Sequence, residues 1–287
     1  GESTFIINGI NAINPVDVAA FRRPGAEVKE GLIPVNMFFV SQSLTDNLSV
    51  EAFYQLEWDQ TVVDNCGTFF AQPDIVADGC DDNLRVLSSR SSLPAAALGA
   101  AGLFGVDINE EGVLLNRGAD RDARDSGQWG VAFRYLFEPL DTEFGFYAMN
   151  YHSRAPIFSA QAGSEAAYTA IDNFVSTAPA ARASLAPLLT AGAGNYFLEY
   201  PEDIRLYGIS FSTTLPTGTA WSGEISYRPN APLQLNSTDI VYAGLKPLTD
   251  MPLTGGIYAG SGVGNVSLLD SSFGSTAHGY NRKEITQ

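Results

Sequence analysis

His152 stands in Asn150-Tyr151-His152-Ser153, which puts a carboxamide, an imidazole and a hydroxyl within four residues. A serine activated by histidine, with the histidine oriented by asparagine, is a hydrolase arrangement. The spacing works against it. In an extended strand Ser153 points to the opposite face from Asn150 and His152, and no other serine is assigned to the site. His152 therefore reads as packing at a rim or interior, and the chain is not expected to be an enzyme. His278 lies near the end of the sequence and supports no assignment.

Carboxylates form the second chemical group. Asp74, Asp78, Asp81 and Asp82 cluster around Cys66 and Cys80, and Asp107, Glu110, Glu111, Asp120, Asp122 and Asp125 form a second set. Hard oxygens suit Ca²⁺, but Asp120-x-Asp122-x-x-Asp125 lacks the Gly and Glu positions of an EF-hand. Arg117, Arg121 and Arg124 offset part of the charge. The expectation is solvated acidic loops, with Asp120, Asp122 and Asp125 the candidate ligands of a weakly held, partly hydrated Ca²⁺. No other cofactor is expected. Gly192-Ala193-Gly194 lacks the strand–helix context of a nucleotide loop.

Cys66 and Cys80 share the turn-rich stretch DNCGTFFAQPDIVADGCDD, whose composition predicts exposure. In an oxidising compartment they pair, and closing a loop of that length stabilises by about 3 kcal/mol in the chain-entropy model. A zinc site would need further ligands, and no histidine lies nearby.

The elements that must position these residues are strands. In Leu48–Asp59 (LSVEAFYQLEWD) alternate positions Leu48, Val50, Ala52, Tyr54, Leu56 and Trp58 are apolar or aromatic, and the others are polar except Phe53. Gln128–Glu138, Asp203–Leu215 and Thr219–Arg228 alternate in the same way. Period two over such lengths is a strand signal. The strands pair across short joints: Thr45-Asp46-Asn47, Pro139-Leu140-Asp141 and Pro216-Thr217-Gly218, rich in turn-forming residues. Between hairpins the connections are long, Gln60–Gly127, Ala155–Glu202 and Pro229–His278.

Alternation alone fits either a soluble sandwich or a membrane barrel with its apolar face turned outward. The strict rhythm of short turns and long loops fits an outer-membrane barrel and not a compact sandwich. The fold expected is all-β: a section of a transmembrane antiparallel barrel with three hairpins, partial end strands at Ser3–Ile10 and Gly279–Gln287, and long extracellular loops. Residues 1–287 read as one barrel domain, incomplete at both ends. Trp58, Trp129, Phe137, Trp221 and Tyr227 are placed as interfacial aromatics. Leu48, Val50, Tyr54, Leu56, Trp129, Val131, Phe133, Tyr135, Ile209, Phe211, Ile225 and Tyr227 are expected to face lipid. Glu51, Gln55, Glu57, Arg134, Glu138, Asn150, His152, Glu224 and Arg228 are expected to line the lumen, together with Ser210 and Ser226. In Thr142–Arg154 both faces carry apolar residues; Gly145, Tyr147, Met149 and Tyr151 are placed outward.

The loops carry helical stretches at Ser164–Val175, with a stripe of Tyr168, Ile171, Phe174 and Val175, and at Ala178–Leu189, limited by Pro187. A short helix is expected within Asn14–Gly31, broken at Pro24. The net charge of −16, from 16 basic and 32 acidic residues, argues against nucleic acid, which needs clustered Lys and Arg. No apolar run approaches the ~18 residues of a membrane helix.

Several strings in order, GESTFIINGINAINPVDVAAFRRPGAEVKEGLIPVNM, LTDNLSVEAFYQLEW, CGTFF and EFGFYAMNYHSRAP, resemble the bacterial family catalogued as domain of unknown function 1302. The resemblance runs along essentially the whole chain. It implies a Gram-negative outer-membrane barrel, similar in style to the long-chain fatty-acid transporters, with outer-membrane lipid and lipopolysaccharide as surroundings and lipophilic small molecules as ligands. It brings no catalytic or ligand residues to carry over. The function expected is a channel for hydrophobic or amphipathic small molecules, with loop helices forming a binding pocket. The alternatives are a structural or surface-interaction protein and a barrel lipid or ester hydrolase using His152.

Overall fold

The computed structural model describes residues 13–71, 73–81, 83–87, 90–93, 95–179 and 182–287. In chain order the strands are β1 (Met37–Ser43), β2 (Leu48–Gln55), β3 (Arg85–Leu87), β4 (Ile108–Asn109), β5 (Gly112–Leu114), β6 (Trp129–Phe137), β7 (Thr142–Tyr151), β8 (Ile157–Gln161), β9 (Asn195–Glu199), β10 (Ile204–Thr214), β11 (Ala220–Gln234), β12 (Thr276–Ala277) and β13 (Tyr280–Thr286). The helices are α1 (Ala95–Leu103), α2 (Glu165–Ser176), α3 (Arg182–Thr190), α4 (Ser237–Ala243) and α5 (Gly255–Gly260).

The three predicted hairpins form, as β1–β2, β6–β7 and β10–β11, and they join β13 in one antiparallel sheet ordered β1-β2-β6-β7-β10-β11-β13. Asp141 closes the second tight turn in the left-handed region, φ 45°, a conformation aspartate tolerates better than most residues. Among the described residues β1 and β13 are edges, so the sheet is open. The expected end strand Gly279–Gln287 is present as β13; Ser3–Ile10 lies outside the described residues. β11 runs past its predicted end at Arg228 to Gln234. It absorbs Pro229 in an irregularity between Arg228 and Ala231, since a proline has no donor for a ladder.

Register fixes the two faces. Ile209 pairs with Ile225 and Phe146, Phe146 with Phe133, and Phe133 with Val50. These residues form a central apolar row. Rows of Tyr207, Tyr227, Trp129 and Tyr54 lie to one side of it, and Phe211, Phe144, Tyr135, Phe137 and Trp221 to the other. No described element covers this face: Phe133 is 40% and Ile225 64% exposed. A sandwich would have buried Phe133, so the packing expected of that alternative is not found.

β7 corrects its predicted orientation. Gly145 pairs with Arg134 and Ser210, and Tyr147 with Ala132 and Gly208, so Gly145, Tyr147, Met149 and Tyr151 belong to the polar face. Phe144, Phe146 and Ala148 belong to the apolar one. Trp58 is also corrected. It is buried, edge-on to Tyr200 with ring centroids 4.7 Å apart, and donates Nε1–H to the Ser153 carbonyl.

Because the hairpin turns lie at one end of the sheet, the connections 56–128, 152–203 and 235–279 all leave from the other. They fold together into a cap. Ala100 and Ala101 of α1, Tyr168, Ile171 and Val175 of α2, Leu185, Ala186, Leu188 and Leu189 of α3, and Leu248, Met251 and Tyr258 share one core. α2 forms as its stripe predicts; Ser164 caps it, its side chain accepting from Ala167 N. Asp172 of α2 is buried, yet accepts hydrogen bonds from Leu253 N and the Thr254 hydroxyl, tying the second connection to the third. α3 continues through Pro187 to Thr190. Residues 14–31 hold two short 3₁₀ turns, Ala20–Arg22 and Val28–Gly31, in place of one helix.

Candidate functional site

The polar face of the sheet carries Glu51, Gln55, Arg134, Ser210, Glu224, Ser226 and Arg228, the side predicted for them. At its cap end lies a concavity of about 290 Å³. Phe39, Phe53, Met149 and Tyr147 supply its apolar walls, and Glu51 and Arg134 pair within it at 3.2 Å. Phe53 reaches across Gly130, where a Cβ would lie 2.4 Å from its ring. Glycine at 130 is thus what lets the aromatic wall lie flat. Tyr147 and Ser210 hydroxyls bond at 3.0 Å. Apolar walls around a single ion pair suit an amphipathic molecule with one polar end.

The other predicted lumen residues separate. Glu57 accepts from Asn36 Nδ2 at 2.7 Å near the cap, while Glu138 accepts from Asn47 Nδ2 at 2.9 Å among the short turns. Glu57 and Glu138 therefore stand apart from the Glu51–Arg134 ion pair. Arg228 instead donates to Gln287 Oε1.

Asn150 and His152 do not lie on the polar face. Asn150 pairs with Trp129 and Arg205 at the cap end of the apolar face, and its Nδ2 donates to Gly127 O (2.8 Å) and Asp203 Oδ1 (2.9 Å). His152 is fully buried. Its Nδ1 accepts from Asp203 N at 3.0 Å, so Nε2 carries the proton and donates to Ser126 O at 2.9 Å. Both ring nitrogens are spent on backbone, and Ser153 Oγ donates to Ala155 O. The serine–histidine pair of a hydrolase is not formed here.

The residue at the centre of this junction is one that spacing missed. Arg154, buried, donates to Asp59 O (2.8 Å), Gln55 Oε1 (2.6 Å) and Gln128 Oε1 (2.9 Å), with Gln55 and Gln128 themselves fully buried. Burial lowers its pKa to about 10, which still leaves it charged at neutral pH. The signal available was an arginine just past the end of β7, with one glutamine ending β2 and another just before β6. Arg124 bonds Glu202 and Asp203; its hydrogen bond holds the Asp203 carboxyl below the ordinary range.

Asp120, Asp122 and Asp125 do not converge. Asp120 pairs with Arg117 at 2.5 Å and accepts from Leu198 N, and Asp125 accepts from Trp58 N. Among the described residues no three His, Cys, Asp or Glu side chains come together as metal ligands, and Asp82 lies outside them. Cys66 and Cys80 form the expected disulfide, Cα–Cα 6.1 Å. Against expectation Cys80 is buried, because Arg117 clamps the loop through Ala77 O (2.7 Å) and Val76 O (3.2 Å).

The cap has its own cavity. A partly open cavity of about 70 Å³ lies between Val86, Leu115, Ala160, Tyr168, Ile240 and Leu245. Desolvation pushes the Tyr168 phenol up to about 12, and its hydroxyl donates to Gly244 O.

A two-faced antiparallel sheet with a folded, disulfide-stapled cap defines a mostly-β protein with an open apolar face. The chain belongs to the family described as protein of unknown function DUF1302, whose model matches residues 1–287. Neither a curated protein nor a solved structure matches it.

Proposed function

We propose that this chain forms part of an outer-membrane β-barrel that passes hydrophobic or amphipathic small molecules. The observation that carries the reading is the uncovered apolar face, with aromatic rows on either side of its aliphatic and phenylalanine centre. Lipid-facing strands of a membrane barrel have that pattern. On the opposite face, apolar walls around the Glu51–Arg134 pair give a molecule with one polar end a place to rest. No helix of the described residues is long and apolar enough to cross a membrane, and strands of this kind are the alternative means. The test is flux into proteoliposomes of a single-ring phenol, a medium-chain fatty acid and a sterol. Uptake of at least one is expected, and Phe39→Arg should reduce it; impermeability to all three would overturn the reading.

A surface-interaction role is favoured by one feature. Phe69 and Phe70, adjacent inside the disulfide loop, are 92% and 55% exposed and pack edge to face with centroids 5.1 Å apart, an apolar pair left open for contact. Loss of cell-surface adhesion in Phe69→Ser, with flux unchanged, would select this second role.

A further inference from the structure

We propose that the cap cavity is a binding site for a neutral lipophilic small molecule, of the size of one ring or a short alkyl segment, that carries a single hydrogen-bonding group. The inference deepens the proposed transport role by naming a binding site and its ligand class, and it rests on that role.

The cavity of about 70 Å³ is several times the ~10–15 Å³ that one water requires by the same measure. All three long connections build it: Val86 and Leu115 come from the first, Ala160 and Tyr168 from the second, Ile240 and Leu245 from the third. Its lining contains no Asp, Glu, Lys, Arg or His, although 17% of the chain is charged. An ionised ligand would lose its hydration there with no counter-charge to replace it. The cavity therefore selects neutral molecules, unlike the concavity holding Glu51 and Arg134.

Three hydroxyls in the lining are already committed, Tyr168 to Gly244 O, Thr190 to Pro187 O and Ser271 with Ser275 Oγ, and Tyr242 is exposed to solvent. The carboxamides of Gln161 and Asn195 remain. These residues sit directly opposite each other in the β8–β9 register, both line the cavity, and neither carboxamide bonds another described residue. The Asn195 carboxamide lies against Gly118, outside the lining, so Gln161 supplies the donors and acceptor at one point of an otherwise apolar wall, the arrangement that orients a ligand with one hydroxyl or carbonyl. Small residues keep the space open. Ala160 pairs with Ala277 across β8–β12, and Ala162 lies beside them in the lining. A larger side chain at any of the three would occupy the volume.

The experiment titrates the detergent-solubilised chain with p-cresol, benzoate and toluene, using ligand-observed NMR, and measures proteoliposome flux separately. Saturable p-cresol binding is expected, with benzoate weaker by about tenfold or more. Ala277→Phe should weaken p-cresol about tenfold, with the Cys66–Cys80 bridge and the circular dichroism spectrum used to establish that the cap is folded. Gln161→Leu, which leaves the cavity volume nearly unchanged, should abolish the preference for p-cresol over toluene even if Ala277→Phe does not fold. Absence of saturable p-cresol binding, equal binding of benzoate, or an unaltered p-cresol preference in Gln161→Leu would overturn the site. Flux lost with binding retained would overturn the channel and leave the site standing.

Discussion

Arg154 shows how much one buried cation can organise. It holds the end of β2 through Gln55, the start of β6 through Gln128, and the chain leaving β2 through Asp59 O. Arg154→Met would strand these acceptors, two of them on fully buried glutamines, and each buried polar group left unpaired costs about 1–3 kcal/mol. A loss of about 2–5 kcal/mol is expected, read as a lower urea midpoint in detergent. Arg154→Lys should recover only part of it, because an ammonium cannot reproduce the planar fork. Asp203 makes a pH-dependent contribution. Its folded-state pKa is depressed by the Arg124 hydrogen bond. The stabilisation is therefore present above the ordinary carboxylate pKa and is lost as pH falls through the depressed value. Hydrogen exchange around residues 200–205 should accelerate in acid below the ordinary carboxylate range, and Arg124→Gln should reduce that acid dependence, leaving the part due to the Asn150 hydrogen bond. Because both groups are largely exposed, the effect is local.

At the level of elements, the disulfide and the apolar strands make separate predictions. The Cys66–Cys80 bridge closes a loop that Arg117 already clamps. Cys66→Ser with Cys80→Ser should destabilise the cap by about 3 kcal/mol or less, read as earlier proteolysis within 60–85 while the sheet persists. Phe133 sits in the central row of the uncovered face, paired with Val50 and Phe146. Phe133→Arg should cost roughly 2–4 kcal/mol in bilayers if that row lies at the midplane. The same change on a water-facing surface would cost little, so comparing bilayer with aqueous conditions tests the orientation. β7 shows why faces are not always legible. FGFYAMNY is apolar at both parities, and only pairing with β6 and β10 assigns Phe144 and Phe146 to one side and Tyr147 and Met149 to the other.

For the whole molecule, the three tryptophans report on the proposed arrangement. Trp129 and Trp221 are 44% and 58% exposed on the apolar face, whereas Trp58 is 8% exposed beneath the cap. Brominated lipids should quench the fluorescence of single-tryptophan variants keeping Trp129 or Trp221 and spare the one keeping Trp58. Equal protection of all three would argue against lipid contact. The sequence by itself determined the hairpins, their tight turns, most of the two faces, the disulfide and α2. Each depends on contacts between near neighbours or on a repeat of period two, so the pattern is written locally. The cap, the cavity within it and the Arg154 junction were decided only by tertiary structure. Ala160 meets Ala277, Asp172 meets Thr254 and Arg154 meets Gln55 across separations that no local periodicity records. Short strands such as β8 and β9 became strands because neighbours supplied their ladder, and Trp58 turned inward because the chain folded over it. Side-chain packing between distant segments decides such features, and composition can state only that the material for them is present.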